Sequence, residues 1–357
     1  MIKKAFYILI VFALFGGCSN SLNLLAPYKE IVSVYGLLNQ DDPIQYIRIE
    51  RVFLGAQNAF ITAQNQDSVY FQSGELTVTM QRWKNGVQVS VDNPATSVME
   101  ITLTDTLLQA ATGVFNQNER VYKTPHKLYD DSQYKLIIHN NKTGKEFTAQ
   151  TGLIQDFIGQ LLPNSPGEPN LLAPNTSPNY TINIVPSYGV IKYCYYNSPP
   201  NAGVCGLVLR FFYTDYSGSF STKQSVDISL GINYPQQTAG GEKQEFDFTA
   251  NTVLINLSNL VPVNTSVTRT VDSAEFILNA AGPDLALYNQ VNTSTSLSQN
   301  KANYSNINGG VGVFSCRNEL KLLRNIRDQS CVDTIAGNSH TCKLRFLDYG
   351  GALLPCH

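Results

Sequence analysis

The sequence contains little charge and few residues of the kinds that catalytic centres use most. Charged residues make up only 15% of the chain, with 25 Lys and Arg against 27 Asp and Glu and no basic block. A balanced chain of this kind lacks the positive field that attracts nucleic acid, so we expect no nucleic-acid partner. Histidine is also scarce, with four positions: His126, His139, His340 and His357.

Catalytic and cofactor motifs are missing as well. None of the histidines lies in a Gly-x-Ser-x-Gly or His-Glu-x-x-His context, and the glycines of residues 308–312 are not followed by the Lys-Ser/Thr pair of a phosphate-binding loop. His340 and His357 lie near two cysteines, but zinc sites use close pairs such as Cys-x2-Cys. We therefore predict no metal, no cofactor, no catalytic residue and no enzymatic activity.

Long hydrophobic runs are absent beyond the first residues. Lys3 and Lys4 precede an apolar run over residues 5–15, and Gly16 and Gly17 lead directly into Cys18. Eleven residues are too few for a membrane-spanning helix, which needs about 20. The pattern predicts a lipoprotein signal peptide over residues 1–17, a lipid on Cys18 and a tether over residues 18–28. An acylated cysteine holds a domain at a membrane without spanning it. Because no aliphatic residue stands three positions before Cys18, cleavage by an ordinary signal peptidase stays open.

Alternating apolar and polar residues dominate the first half of the chain. Leu76, Val78 and Met80 alternate with polar residues, Asn85-Gly86 turns the chain, and a second alternating run follows. Residues 134–151 repeat this hairpin pattern around a turn at residues 140–144. About seven short strands predict an immunoglobulin-like β-sandwich over residues 29–158.

The rest of the chain is predicted to be a second β-rich domain. Five prolines predict an extended linker over residues 159–180. Residues 181–357 then form the second domain, which contains disulfides, a strand at residues 253–257 and one or two short helices. The helices are predicted at residues 283–290, where a proline would take the first helical position, and at residues 318–326.

Six cysteines remain after Cys18, and an even number in an exported chain predicts disulfides. Cys194 and Cys205 flank a turn-rich segment and are predicted to staple a hairpin. The last four cysteines allow three pairings. Short separations in sequence favour two bridges, Cys331–Cys342 and Cys316–Cys356.

Several segments resemble a family of uncharacterised Bacteroidota lipoproteins that share a domain of unknown function. They are VYGLL at residues 34–38, DLALY at 284–288, and the run from YSNI at 304–307 into GGVGVFS at 309–315. The resemblance implies an outer-membrane lipoprotein with an immunoglobulin-like front half. It also implies a partner in a transport, secretion or gliding complex. In such lipoproteins an acidic cluster after the lipidated cysteine marks export to the cell surface. Residues 19–22 lack one, which favours a periplasm-facing anchor.

The same resemblance draws attention to a short Asp-Ser/Thr-aliphatic pattern that Bacteroidota O-glycosylate. Four places match it, and ordinary turn and strand composition would explain them equally well. The candidate acceptors are Ser68, Thr106, Ser273 and Thr334.

The sequence thus predicts a non-enzymatic, lipid-anchored binding or scaffolding protein that belongs to an outer-membrane complex. The alternative is a glycan-binding surface lipoprotein, in which Tyr193, Tyr195 and Tyr196 would stack against sugar rings. The single tryptophan, Trp83, counts against this alternative, since sugar platforms rely on indole rings.

Overall fold

A computed structural model describes residues 31–52, 69–108, 119–165, 169–174, 181–185, 190–293 and 304–356. The fold is mainly β, with 49% strand and 13% helix. This confirms the predicted fold class. Among the described residues, no helix has the length and apolar character needed to cross a membrane.

The front half forms two facing sheets. One has the order β1-β2-β7-β6 and the other β4-β3-β8-β9, with β5 paired to β3. Alternate side chains of each strand point between the sheets, as in a β-sandwich. The strands are β1 (Val32–Leu38), β2 (Gln45–Arg51), β3 (Leu76–Lys84), β4 (Val87–Val89), β5 (Glu100–Thr102), β6 (Thr104–Leu108), β7 (Glu119–Thr124), β8 (Gln133–Asn140) and β9 (Glu146–Gly152).

The strand order of the front half is that of an immunoglobulin domain. The sheets β1-β2-β7-β6 and β4-β3-β8-β9 correspond to strands ABED and C′CFG of that fold. A second hallmark agrees, because the buried hydroxyl of Tyr134 on β8 accepts a hydrogen bond from the Tyr129 backbone N–H at 2.7 Å. This is the tyrosine corner of immunoglobulin-like domains. The predicted sandwich is therefore present.

Both predicted hairpins are present. Asn85 and Gly86 have φ values of 51° and 78°, which is the left-handed geometry of a two-residue hairpin turn. The inward residues Leu76, Val78 and Met80 of β3 are buried, as their alternation predicted. The second hairpin joins β8 to β9 through Gly144, which also has a positive φ.

The back half contains an antiparallel sheet of order β12-β11-β14-β15 and a separate two-stranded sheet, β10-β13. Three helices and two short 3₁₀ turns, Ile158–Gln160 and Cys342–Leu344, complete the described elements of the chain. The back-half elements are β10 (Ile191–Asn197), β11 (Val204–Ser217), β12 (Phe220–Asn233), β13 (Lys243–Thr249), α1 (Ala250–Leu260), β14 (Thr268–Ala281), α2 (Pro283–Thr293), β15 (Val311–Asn325) and α3 (Gln329–Gly337).

Strand β15 joins the two halves. Its first six residues, 311–316, pair in parallel with β1, and its last nine, 317–325, pair antiparallel with β14. The strands therefore run in one continuous order, β12-β11-β14-β15-β1-β2-β7-β6. Most buried apolar residues of both halves also belong to a single cluster.

Two local predictions are wrong. Residues 318–326, predicted as a helix, are almost entirely part of β15, where pairing with β14 outweighs local helix propensity. Residues 253–257, predicted as a strand, lie in α1. Its buried Val253, Leu254 and Leu257 follow helical spacing, and Thr249 and Thr252 form a capping box at its start. The helix predicted at residues 283–290 is confirmed as α2, while α3 was not predicted.

The described part of the predicted linker is packed against β10. Leu171 and Leu172 are buried, and the Asn170 side chain donates to the carbonyls of Leu162 and Tyr195, at 2.8 and 2.7 Å. Its side-chain oxygen also accepts from the Tyr195 backbone N–H at 3.0 Å. This part of the segment is therefore built into the back half rather than solvated.

Gly312 provides a test of the junction between β1 and β15. It has a φ of +109°, and a Cβ there would lie 2.0 Å from the Val34 carbonyl oxygen. We expect Gly312→Ala to lower the free energy of unfolding in urea by about 4 kcal/mol or more, because the ladder must separate. Gly86 also has a positive φ but has open space around it. Gly86→Ala should therefore cost only about 1–2 kcal/mol. Equal losses in the two variants would contradict a close approach at Gly312.

Candidate binding surface

The outer face of the front sheet carries an unusual group of exposed side chains. Because strand residues alternate between faces, Val34 and Ile47 point into the sandwich while Tyr35 and Tyr46 point outward. The two tyrosines are 43% and 41% exposed. Large aromatic side chains at this exposure, on a rigid sheet, are typical of contact surfaces.

Strand register brings residues from four strands into one row. Tyr35 lies opposite Arg48, Arg48 opposite Val121, and Val121 opposite Thr106. Above this row lies a groove of about 450 Å³, a size within the range of ligand pockets. The groove is lined by Tyr35, Leu37, Asp42, Ile44, Tyr46, Arg48, Leu108, Glu119, Val121 and Arg317.

The two arginines of the groove are held by exposed ion pairs. Arg48 lies 3.5 Å from Glu50 and 3.8 Å from Glu119, and Arg317 lies 2.5 Å from Asp42. Exposed pairs of this kind contribute about 0–1 kcal/mol each. A ligand that offers an oxygen acceptor can therefore take over either guanidinium at little cost.

The turn that carries Asp42 is rigid. The Gln45 side chain accepts from the Asn39 backbone N–H at 3.0 Å and donates to the Asn39 carbonyl at 2.7 Å. The Asn39 side chain accepts from the Asp41 N–H at 3.1 Å. Gln45 and Asn39 are buried, so this network fixes one rim of the groove before any partner arrives.

A second cavity, of about 330 Å³, lies between the β3–β4 hairpin and the loops at Asn201 and Thr238. The Asp131 carboxylate in this cavity is already paired with two cations. Asp131 accepts from Lys84 at 2.6 Å and from Arg82 at 2.9 Å. Hydrogen bonds from Lys84, Ser132 and Arg82 hold the pKa of the Asp131 carboxyl well below its usual range. This cavity is therefore better explained as a structural seam between the two halves than as a ligand site.

The cysteine pairings predicted from sequence are wrong. The structure bonds Cys342 to Cys356, with Cα atoms 5.3 Å apart. Four other cysteines are free and buried: Cys194, Cys205, Cys316 and Cys331. Cys356 lies on the exposed C-terminal tail, while Cys316 is fully buried beside β1 and Cys331 is buried on α3. Cys356 on the tail therefore bonds to Cys342, and the buried thiols of Cys316 and Cys331 stay free.

The hairpin predicted between Cys194 and Cys205 does not form. Cys194 lies on β10, which pairs with β13, whereas Cys205 lies on β11, which pairs with β12 and β14. Cys205 neighbours Tyr196, two residues beyond Cys194 on β10. The two cysteines therefore lie in different sheets, and both thiols are free.

The buried thiols are poor nucleophiles. Burial raises the pKa of Cys316 to about 12 and that of Cys205 and Cys331 to about 11, and it raises the pKa of Cys194 further. Because the thiolate is the reactive form, these cysteines behave as small apolar core residues at neutral pH.

The tyrosines proposed for sugar stacking do not form a surface. Tyr195 and Tyr196 are buried. Tyr196 packs between Phe157 and Phe246, with ring centroids 5.7 and 6.2 Å away. The exposed pair Tyr35 and Tyr46 was missed. Its alternation with apolar residues is visible in the sequence, but its position beside Arg48 depends on strand register.

The candidate O-glycosylation sites lie on different elements and stay predictions. Thr106 is half-buried on the edge strand β6, next to the groove. Ser273 is half-buried on the interior strand β14, and Thr334 on α3 donates to the Ser330 carbonyl at 2.7 Å. Cys18 and Ser68 lie outside the described residues.

The part of the chain that the structure describes contains no group of three or more His, Cys, Asp or Glu able to hold a metal ion. Comparison with known proteins also gives no match, either to a protein-family model or to a curated protein.

Peptide mapping under non-reducing conditions tests the cysteine assignment. We expect one linked pair, Cys342 with Cys356, and alkylation of Cys194, Cys205, Cys316 and Cys331 only after the chain is unfolded. Cys342→Ser should lower the free energy of unfolding by about 2–3 kcal/mol, as for a loop of similar length. A bridge that includes any of the four interior cysteines would contradict the assignment.

Proposed function

We propose that this chain is an exported, lipid-anchored, non-enzymatic binding or scaffolding protein of the bacterial outer membrane. Its partner is a transport, secretion or gliding complex. The observation that carries the proposal is the groove on the front sheet, where Tyr35, Tyr46, Arg48 and Arg317 are gathered on a rigid, exposed face.

The composition of the groove supports binding by contact. Tyrosine and arginine are among the residues that contribute most to protein interfaces. Tyr35 and Tyr46 supply rigid apolar area, and Arg48 and Arg317 supply donors whose present ion pairs are weak. The described lining of the groove contains no Ser, Thr, Cys, Lys or His, and the interior thiols are poor nucleophiles.

The proposed anchor is compatible with this role. Thirteen residues separate Cys18 from Val32, where β1 begins. A chain of that length spans at most about 45 Å. The front module would therefore stay within one such length of the membrane, close to a membrane-embedded partner.

A glycan ligand is the second candidate. The same two tyrosines offer faces for the apolar side of a sugar ring, and Arg48 lies opposite Tyr35 to donate to ring hydroxyls. In this candidate function the sugar binds the front sheet rather than Tyr193, Tyr195 and Tyr196.

Tyr46→Ala tests the groove. Crosslinked outer membranes containing the tagged full chain should yield a co-purifying membrane protein, and Tyr46→Ala should reduce its recovery about 10-fold, because a central aromatic contact is lost. Tyr349→Ala is the matched control, since Tyr349 is also exposed but lies near the C-terminus, away from the groove. Recovery that is equal in both variants would reject the groove. Glycan-array binding lost only in Tyr46→Ala would favour the second candidate.

The anchor has its own test. Mass spectrometry of the mature N-terminus should find acyl chains on Cys18, and Cys18→Ala should move the protein from the membrane fraction to the soluble fraction. Unchanged fractionation of Cys18→Ala would remove the anchor from the proposal without affecting the groove.

A further inference from the structure

Strand β12 leaves one of its two edges unpaired. It is the last strand in the sheet order and pairs with β11 along its whole length. Phe220 lies opposite Ser217 at one end, and Asn233 lies opposite Cys205 at the other. Beyond the sheet, β13 contacts β12 near its far end, where Asn233 donates to the Glu245 carbonyl at 3.0 Å, and α1 also contacts β12. Within the described ranges, no strand pairs with the second edge of β12 at residues 220–228.

The unpaired edge presents backbone groups at regular positions. A two-residue turn at Gly218-Ser219 closes the β11–β12 hairpin, so Phe220 is in a hydrogen-bonded pair with Ser217. Hydrogen-bonded positions alternate along an antiparallel strand. The N–H and C=O groups of Ser221, Lys223, Ser225 and Asp227 therefore point away from β11, toward solvent.

The regular edge ends at a bulge. Leu207 pairs with Gly231 and Val208 with Ser229, so Leu230 is an extra residue in β12. A bulge interrupts a ladder and terminates pairing. The usable edge consequently spans nine residues, 221–229.

We propose that this edge pairs with the same edge of a second copy of the chain, antiparallel and about a two-fold axis at Ser225. The argument is charge complementarity. With the axis at Ser225, Lys223 of each copy lies opposite Asp227 of the other, on the same face of the joined sheet. The ladder contains two such pairs and about ten backbone hydrogen bonds.

The charges also select this register over its neighbours. Moving the axis by one residue places Lys223 and Asp227 opposite serines. Moving it by two residues places Lys223 opposite Lys223, or Asp227 opposite Asp227, and like charges directly opposite are destabilising. A lysine on an edge strand usually prevents pairing. In this dimer Lys223 disfavours other registers, because only the axis at Ser225 places the Lys223 of each copy directly opposite an aspartate.

The existing contacts of these residues permit the pairing. Asp227 accepts two hydrogen bonds from Arg210 on β11, at 2.8 and 2.9 Å, and remains half exposed. Its carboxylate can therefore receive a lysine from the free side. Lys223 is exposed and lies opposite Thr214 on β11.

Cysteine crosslinking tests the two-fold axis in the full chain. In a hydrogen-bonded antiparallel pair the Cα atoms are about 5.5 Å apart, which suits a disulfide. Ser225→Cys should therefore form a disulfide-linked dimer under mild oxidation. Ser221→Cys is the matched control, with the same exposure on the same strand. Its two copies would lie roughly 27 Å apart and should not link. The wild-type chain, oxidised in the same way, shows how much disulfide-linked dimer the native cysteines form.

A charge-exchange experiment tests the register. Lys223→Glu alone and Asp227→Lys alone should each raise the dimer dissociation constant about tenfold or more, measured by sedimentation equilibrium. Mixing the two variants should restore association, because both opposed pairs in the mixed dimer are then of opposite charge. Circular dichroism of each variant confirms that it is folded. Ser225→Pro, which removes an N–H that points away from β11, should also abolish the dimer.

The proposal fails if the folded wild-type chain sediments as a monomer at all concentrations and Ser225→Cys does not link. It also fails if Ser221→Cys links as readily as Ser225→Cys, or if mixing the charge variants restores nothing. The groove on the front sheet takes no part in this edge, so neither result affects the proposed function.

Discussion

The parallel pairing of β1 with β15 is the interaction on which the rest of the structure depends. It joins segments that lie almost 280 residues apart, and it turns two β-rich halves into one sheet order. Gly312 permits the close approach to Val34 that this pairing needs. Once β15 is in place, Asn318 reaches the carbonyls of Ile154 and Gln155, and Arg324 reaches those of Leu171 and Ala173. Pairing two segments this far apart in sequence carries a large loop-closure entropy cost, which is typical of slowly folding β proteins.

The same junction completes the candidate binding surface. Tyr35, Tyr46 and Arg48 belong to the front sheet, but Arg317 comes from the point where β15 passes from β1 to β14. Its contact with Asp42 spans 275 residues of sequence. The groove therefore exists in full only when both halves are joined, so a partner that contacts both rims would recognise the assembled chain.

The cysteines show how an even count can mislead. The expectation of an exported chain turned six cysteines into a prediction of three bridges, yet the structure forms one, between Cys342 and the exposed tail residue Cys356. The other four pack as apolar side chains on strands and a helix of the core. Pairing depends on Cα separation and side-chain direction, which spacing along the chain does not contain.

The sequence by itself determined the local features whose signal is short-range. Asn85-Gly86, the alternation around Val78 and Met80, and Pro283 at a helix start specify their structure within a few residues. The turn and the alternating runs before residue 158 were enough to predict an immunoglobulin-like front half. Tertiary structure decided everything that depends on a distant partner. Residues 318–326 form a strand because β14 lies beside them, α1 forms because its apolar face meets the core, and Tyr35 and Arg48 become one surface only through strand register. A short apolar run fits a strand or a helix equally well, and only the packing around it distinguishes the two.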